Sequence, residues 1–167
     1  MSPDQRPWRI VVMGVTGVGK STVGARLAEV LGVPFVDADD LHDARSIEKM
    51  RASTPLDDAD RIPWWERING VLRVHAAEGV VIAASALTPA ARAAMTVGVD
   101  DVRFVLLRAD PRTIATRIND RVGHFAGASL LPSQLALLDP PADAVVLDAQ
   151  RSPDELVAAA LTALRRR

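Results

Sequence analysis

The sequence predicts an α/β fold in which a five-stranded parallel sheet is covered by helices on both faces. Three observations carry that expectation. Short apolar runs alternate with stretches of helical periodicity along the whole chain, the pattern of successive βα units. The runs are nearly continuous rather than alternating with polar residues, as strands buried on both faces must be. A glycine-rich segment, Gly14 to Ser21, separates the first run from the first helical stretch, at the position where a strand's carboxyl end meets a helix N-terminus.

Trp8 to Met13 (WRIVVM) is the first expected strand. From Ser21 to Leu31 the apolar residues Val23, Leu27, Val30 and Leu31 recur at helical spacing, and Gly32 stands where a C-terminal cap belongs. Pro34 to Val36 is a second short strand, followed by an acidic, irregular or short-helical stretch. Pro63 is suited to the first turn of a helix, with Trp64, Ile68, Val71, Leu72 and His75 along one side and Gly79 closing it. Val80 to Ala84 and Val102 to Leu107 read as the third and fourth strands, Pro111 to Arg121 as a helix, and Val145 to Leu147 as the fifth strand. The final helix has a capping box in Ser152 and Glu155, Pro153 at its first position, and a stripe of Leu156, Val157, Ala160, Leu161 and Leu164. No linker or repeat divides the chain, so one domain over residues 1–167 is expected. Val122 to Ser133, with two glycines and little periodicity, is the expected lid.

Composition narrows the function. The chain has 167 residues, 20 basic against 21 acidic, and no cysteine. Disulfides, thiolate nucleophiles and cysteine-ligated zinc are excluded. A net charge of -1 provides no overall field for nucleic acid or an anionic membrane. No apolar run reaches the roughly 18 residues of a membrane span, and the N-terminus lacks a signal-peptide core, so a cytoplasmic protein is expected. The acid is concentrated: seven aspartates and one glutamate lie between Asp37 and Asp60, against Arg45, Lys49 and Arg51. Lys20 and Lys49 are the chain's two lysines.

Gly14-Val15-Thr16-Gly17-Val18-Gly19-Lys20-Ser21 satisfies G-x-x-x-x-G-K-[ST] with the strand and helix flanks the motif requires. Glycines let the backbone turn its N–H groups inward to phosphate oxygens, and the helix N-terminus adds its positive dipole end. Lys20 is placed to reach the β and γ phosphates, and the Ser21 hydroxyl to ligate Mg²⁺. The expected architecture is therefore the three-layer fold of P-loop NTPases, which fits GTPases, ATPases, small-molecule kinases and nucleotide-binding regulators alike.

Asp37-Ala38-Asp39-Asp40 follows the second strand, so Asp37 and Asp39 leave the sheet on the side where the phosphate loop opens. Their spacing suits one carboxylate holding Mg²⁺ through water and the other accepting a proton from an attacking hydroxyl. It equally suits a helix N-cap with a solvated acidic turn.

The blocks Asp37-Ala38-Asp39-Asp40-Leu41-His42, Ile47-Glu48-Lys49-Met50, Pro55-Leu56, Asp60-Arg61-Ile62-Pro63-Trp64, Ser85-Ala86-Leu87, Arg121-Val122-Gly123-His124-Phe125 and Ser133-Gln134 resemble, in order, those of the gluconate kinase family of small P-loop kinases. The resemblance implies a shikimate-kinase-like or adenylate-kinase-like fold, transfer of the γ-phosphate of ATP to the 6-hydroxyl of D-gluconate, and often a homodimer. It implies ATP phosphates on Gly14, Val15, Thr16, Gly17, Val18, Gly19, Lys20, Ser21 and Thr22, Mg²⁺ near Ser21 and Asp37, and Asp39 as the residue that orients or deprotonates the acceptor.

A sugar acid needs cations for its carboxylate, and arginine binds carboxylate in a fork geometry. Arg45, Lys49, Arg61, Arg92 and His124 lie in or near the matching blocks; each is a candidate substrate ligand or else a cation in an ordinary ion pair. Arg117 and Arg121, four apart, share a helix face leading into the expected lid, so one can cover the adenine while the other neutralises the transferring phosphoryl group. A solvated helix face is the alternative for both. The chain departs from the family at Thr88 and Ala91, where Lys and Tyr are usual before Arg92, and at Ser46, Ser53 and Leu137-Leu138-Asp139. These departures bear on the acceptor, so a kinase for another small hydroxylated acid is the second expectation, and a nucleotide-binding protein without catalysis the third.

Overall fold

The computed structural model describes residues 6–120 and 128–166. Five parallel strands, β1 (Arg9–Met13), β2 (Phe35–Asp37), β3 (Val80–Ala83), β4 (Val102–Arg108) and β5 (Val145–Asp148), form one sheet in the order β2-β3-β1-β4-β5. Ile10 stands beside Val81 on one side and Arg103 on the other, which makes β1 the central strand. The chain first works outward from β1 to β2 and back to β3, then crosses β1 to β4 and β5. The order thus reverses at β1, and the crevice at the carboxyl ends of β1, β3 and β4 is where ligands bind in such sheets.

The strand periodicity sorts the core into two faces. Ile10 and Val12 of β1 point to the side covered by α1 (Lys20–Leu31) and α7 (Pro153–Arg165), where Val23, Leu27, Leu156, Val157, Ala160 and Leu164 are buried. Val11 and Met13 point to the opposite side, against Trp64, Ile68 and Leu72 of α3 (Asp58–Val74) and Ala91 and Met95 of α4 (Pro89–Thr96). Burial on both faces explains the unbroken apolar runs of the sequence. The expected three-layer fold is present, with five strands and helices on both faces. Among the described residues no helix is long and apolar enough to cross a membrane.

The helix expected to open at Pro63 begins a turn and a half earlier. Asp57 accepts from the backbone N–H of Asp60 at 3.1 Å and Asp60 accepts from that of Asp57 at 3.0 Å, a capping box that starts α3 at Asp58 and leaves Pro63 inside it. The helix ends at Val74, and Gly79, with φ +91°, turns the chain into β3 instead of closing the helix. The acidic stretch before it resolves into a 3₁₀ turn over Ala38–Leu41 and the short helix α2 (Ala44–Arg51), capped by Asp43. Helix α4 was not foreseen; its caps are Thr88, whose Oγ1 accepts from Ala91 N–H at 3.2 Å, and Pro89 at the first position.

Helix α5 (Pro111–Asn119) ends just before the residues outside the description. Arg121, His124 and the first half of the expected lid, 122–127 of 122–133, therefore lie outside the described residues. The end of that segment is ordered as helix: a 3₁₀ turn over Ala128–Leu130 leads into α6 (Leu131–Leu137), whose Leu131 is buried beside Ile114 and Ile118 of α5.

Candidate active site

The phosphate loop leaves β1 at Gly14 and enters α1 at Lys20. Two of its glycines are required by the surroundings. Gly14 has φ +146°, and a Cβ there would stand 2.8 Å from the carbonyl oxygen of Leu107; Gly17 has φ +76°, and a Cβ there would overlap Ile118. Val15 and Val18 turn their side chains into the core below, which leaves the backbone to form the surface above. Lys20 Nζ donates to the Val15 carbonyl at 2.9 Å, so its ammonium lies over the loop it belongs to. Thr16 N–H donates to Oε1 of Gln134 on α6 at 2.7 Å.

The acidic residues after β2 are bonded to this loop. Ser21 Oγ, in the first turn of α1, donates to Oδ2 of Asp37. The other oxygen of Asp37 accepts the backbone N–H of Asp39 at 3.0 Å and caps the 3₁₀ turn. One carboxylate thus joins the helix that begins at the phosphate loop to the exposed turn that presents Asp39. The N-cap alternative for Asp37 is real and is compatible with the other role, since each function uses a different oxygen. Two adjacent oxygen donors, Ser21 Oγ and Asp37 Oδ2, suit a hard cation that keeps most of its waters. Among the described residues no group of three or more His, Asp or Glu side chains could hold a metal by itself, so a metal here would depend on phosphate oxygens for its remaining ligands.

Helix α3 supports the Asp39 turn from beneath. Trp64 Nε1 donates to the Ala38 carbonyl at 2.7 Å, and the His42 ring stacks on Trp64 with centroids 4.3 Å apart. Arg67 donates to the Leu41 carbonyl at 3.0 Å and lies 3.5 Å from Asp43. Burial holds the His42 imidazole below its ordinary pKa, against the pull of Asp39 and Asp43 and helped by Arg67; its Nδ1 is buried without a partner among the described residues. His42 and Trp64 stand in two different sequence blocks, and neither was expected among the functional residues. The usable signal was that the blocks Asp37 to His42 and Asp60 to Trp64 each carry one aromatic ring that a polar turn could not bury alone.

The expected substrate cations fall into three situations. Lys49 of α2 is 2.6 Å from Asp60 of α3 and 3.4 Å from Asp57, the α3 cap; its pKa is raised and that of Asp60 lowered, both chiefly through the Lys49–Asp60 hydrogen bond. Arg92 is buried, donates to the Ala86 carbonyl at 2.9 Å and lies near Phe104, and its burial lowers its pKa against the pull of Asp139 and Asp143. Arg45 is exposed on α2 and Arg61 half-buried on α3, and neither makes an ion pair among the described residues. The two departures beside Arg92 serve the fold: Thr88 caps α4 and Ala91 is buried beneath it.

On the nucleotide side, Arg117 of α5 donates to the carbonyl of Val18 at 3.3 Å and to that of Ala149, just past β5, at 2.7 Å. Its guanidinium therefore bridges the phosphate loop and the β5–α7 loop.

Comparison with known proteins agrees with this layout. The family described as an AAA domain matches residues 10–141. The gluconokinase of Gluconobacter oxydans (strain 621H) is 40% identical over 154 residues, covering 89% of this chain and 86% of that protein. The crystal structure of a gluconokinase from Sinorhizobium meliloti 1021 superposes with a TM-score of 0.85 at 38% identity, covering 97% of this chain and 94% of the other. Shikimate kinase from Aquifex aeolicus shares the fold alone, with a TM-score of 0.61 at 18% identity over 95% of this chain and 96% of its own. With its phosphate loop and acidic turn joined through Asp37, and with relatives of this closeness over most of its length, the chain belongs to the gluconokinase family of P-loop kinases.

Proposed function

We propose that the chain transfers the γ-phosphoryl group of ATP to the 6-hydroxyl of D-gluconate, giving 6-phosphogluconate and ADP. The observation that carries this reading is that Asp37 accepts hydrogen bonds from both the Ser21 hydroxyl and the Asp39 N–H, which ties the phosphate loop and the Asp39 turn into one unit. The loop from Gly14 to Thr22 holds the phosphates through backbone N–H groups, and Lys20 opposes the charge that builds on the transferring group. Asp39 fixes the direction of the attacking hydroxyl and accepts its proton. Arg117 lies against the adenine, and Arg121 adds positive charge over the phosphoryl group.

Ser21 and Asp37 are the residues that would hold Mg²⁺, which when bound neutralises phosphate charge and fixes phosphate orientation. Arg45 on α2 and Arg61 on α3, which make no ion pair among the described residues, are assigned the gluconate carboxylate, with His124 hydrogen-bonding a hydroxyl. Lys49 and Arg92 complete the set of cations for the sugar acid, each held in place by a bond of its own, to Asp60 and to the Ala86 carbonyl. The protein acts as a small-molecule kinase without nucleic acid or membrane.

The test is ADP release from Mg-ATP with and without D-gluconate, with shikimate and other aldonates as controls. Stimulation by gluconate well above the others is expected; none with any sugar acid would reject the reading. Thr88 and Ala91, which stand where Lys and Tyr are usual, favour one second reading: a different hydroxylated acid as the preferred acceptor. Ranking kcat/KM across the acceptor panel separates the two.

A further inference from the structure

Leu131 and Leu135 stand at i and i+4, and Gln134, at i+3, shares their face of α6; Leu138 caps the helix. Leu131 is buried, and Leu135 and Leu138 pack, in the cluster that also contains Val15 and Val18 of the phosphate loop. A polar side chain in a face that packs on the core needs a hydrogen-bond partner. The partner is the Thr16 N–H, at 2.7 Å from Oε1 and 118 residues away in the chain, on a residue that is only 6% exposed. Two other backbone N–H bonds of the loop are longer: Val18 N–H to the Val15 carbonyl spans 3.4 Å, and Gly14 N–H to the Ser85 carbonyl 3.3 Å.

Beyond α6 the chain is fastened again, with Asp139 N–H donating to the Leu87 carbonyl at 2.9 Å. The segment from Gln134 to Asp139 therefore holds the phosphate loop at one end and the β3–α4 loop at the other. Three glycines with positive φ, Gly14, Gly17 and Gly19, give the phosphate loop many alternative conformations. A bond to Thr16, in the middle of that loop, removes part of this freedom before ligand arrives, and preorganisation of this kind strengthens binding.

We propose that Gln134 is a positioning residue of the phosphate loop: its amide oxygen holds the Thr16 N–H and thereby sets the loop for the phosphates of ATP. The proposal rests on the reading of residues 14–22 as the ATP site. Gln134 acts through Thr16 and does not itself touch the nucleotide.

The test compares wild type with Gln134→Met, which keeps the length and apolar stem but replaces the amide oxygen by a weakly accepting thioether, and with Gln134→Glu, which keeps an acceptor oxygen. For Gln134→Met, Kd and KM for Mg-ATP should rise about tenfold, the scale of losing the acceptor of a buried N–H, while kcat and KM for gluconate at saturating ATP stay within about twofold. Exchange of the Thr16 amide hydrogen, read by NMR, should accelerate about tenfold or more in Gln134→Met and return toward the wild-type rate in Gln134→Glu. Unchanged ATP affinity, unchanged Thr16 exchange, or a loss of kcat alone in Gln134→Met would overturn the proposal. So would parallel weakening of both substrates together with the midpoint of unfolding, which is the mark of general damage. Should the wild-type protein bind no ATP, the reading of the loop fails, and the Thr16 exchange rates still decide whether Gln134 anchors it.

Discussion

Lys49 Nζ lies 2.6 Å from Oδ2 of Asp60, and that same oxygen accepts the N–H of Asp57 at 3.0 Å. One carboxylate thus completes the cap of α3 and clamps α2 against it. Two sequence blocks of the family, I-E-K-M and D-R-x-P-W, are in this respect the two halves of one contact. The turn that carries Asp39 is braced from the same helix, by Trp64 and Arg67.

Lys49→Met and Asp60→Asn should each lower the midpoint of unfolding, and the double variant should lose less than the sum. Asp60 has its pKa lowered, so its contribution is present above the ordinary carboxylate value of about 3.9 and is lost as pH falls through the folded value. Lys49 has its pKa raised, so its contribution is complete below about 10.4 and is lost as pH rises through the folded value. Denaturant unfolding across pH should therefore show a wild-type advantage over Lys49→Met that is level at neutral pH and shrinks at both extremes. A rise in gluconate KM with no change in stability would instead make Lys49 a direct substrate ligand.

Ser53 offers a gain in stability. It has φ +55° and stands just past the α2 cap, with its N–H donating to Met50 and the next N–H, of Thr54, to Lys49, the bond pattern of a Schellman turn. Glycine adopts that conformation without the cost a Cβ incurs. Ser53→Gly should raise stability by about 0.5–1 kcal/mol, after allowing for the greater freedom of glycine in the unfolded chain. Thermal unfolding of the variant gives the sign directly, and a lower midpoint would show that Ser53 makes a compensating contact.

Lys20 and Asp39 should separate in their kinetics. Lys20→Ala should reduce kcat by about 10²–10³-fold, the usual scale for removing one group that stabilises developing charge, and weaken ATP binding as well. Asp39→Asn should reduce kcat by about 10²–10⁴-fold with ATP affinity close to wild type, because a carboxamide can still orient a hydroxyl and cannot take its proton. Calorimetric ATP binding beside steady-state rates makes the comparison, and an Asp39→Asn variant with wild-type kcat would move the acceptor role to another residue.

The contrast between what was legible in the sequence and what was not follows the range of the interactions. The phosphate loop is contiguous from Gly14 to Ser21, its neighbours in space are its neighbours in sequence, and the β1–loop–α1 unit stands as expected. Strands buried on both faces announce themselves by apolar runs, so all five were found to within a residue or so. Helix α4 escaped because its buried positions are Ala91, Arg92 and Met95, of which only Met95 is large and apolar, so the periodic signal is weak, and only Thr88 and Pro89 marked its start. Pro63 misled because a proline favoured in a first turn also survives further into a helix whose capping box, Asp57 and Asp60, is stronger. The supports of the site were the least legible. Lys49 finds Asp60 eleven residues on, Trp64 finds Ala38 twenty-six residues back, and Thr16 finds Gln134 across most of the chain. A cation in a motif therefore reads as a ligand until its partner is located.

His42 should tie the stability of the acceptor turn to pH. Its ring is stacked on Trp64, whose indole holds the Ala38 carbonyl immediately before Asp39. Burial keeps its pKa below the ordinary 6.5, outweighing Asp39 and Asp43, and Arg67 works in the same direction as burial. With a depressed folded value the unfolded chain takes up the proton first as pH falls. The contribution of His42 is therefore complete above about 6.5 and is lost as pH falls through the folded value. NMR titration should place the His42 pKa below 6.5, and the free energy of unfolding should decline between about pH 7 and pH 5 more steeply in wild type than in His42→Phe, which keeps a ring on Trp64 but cannot be protonated. If the two proteins lose stability in parallel over that range, the pH dependence arises elsewhere and the stacked imidazole serves only as packing beneath the turn.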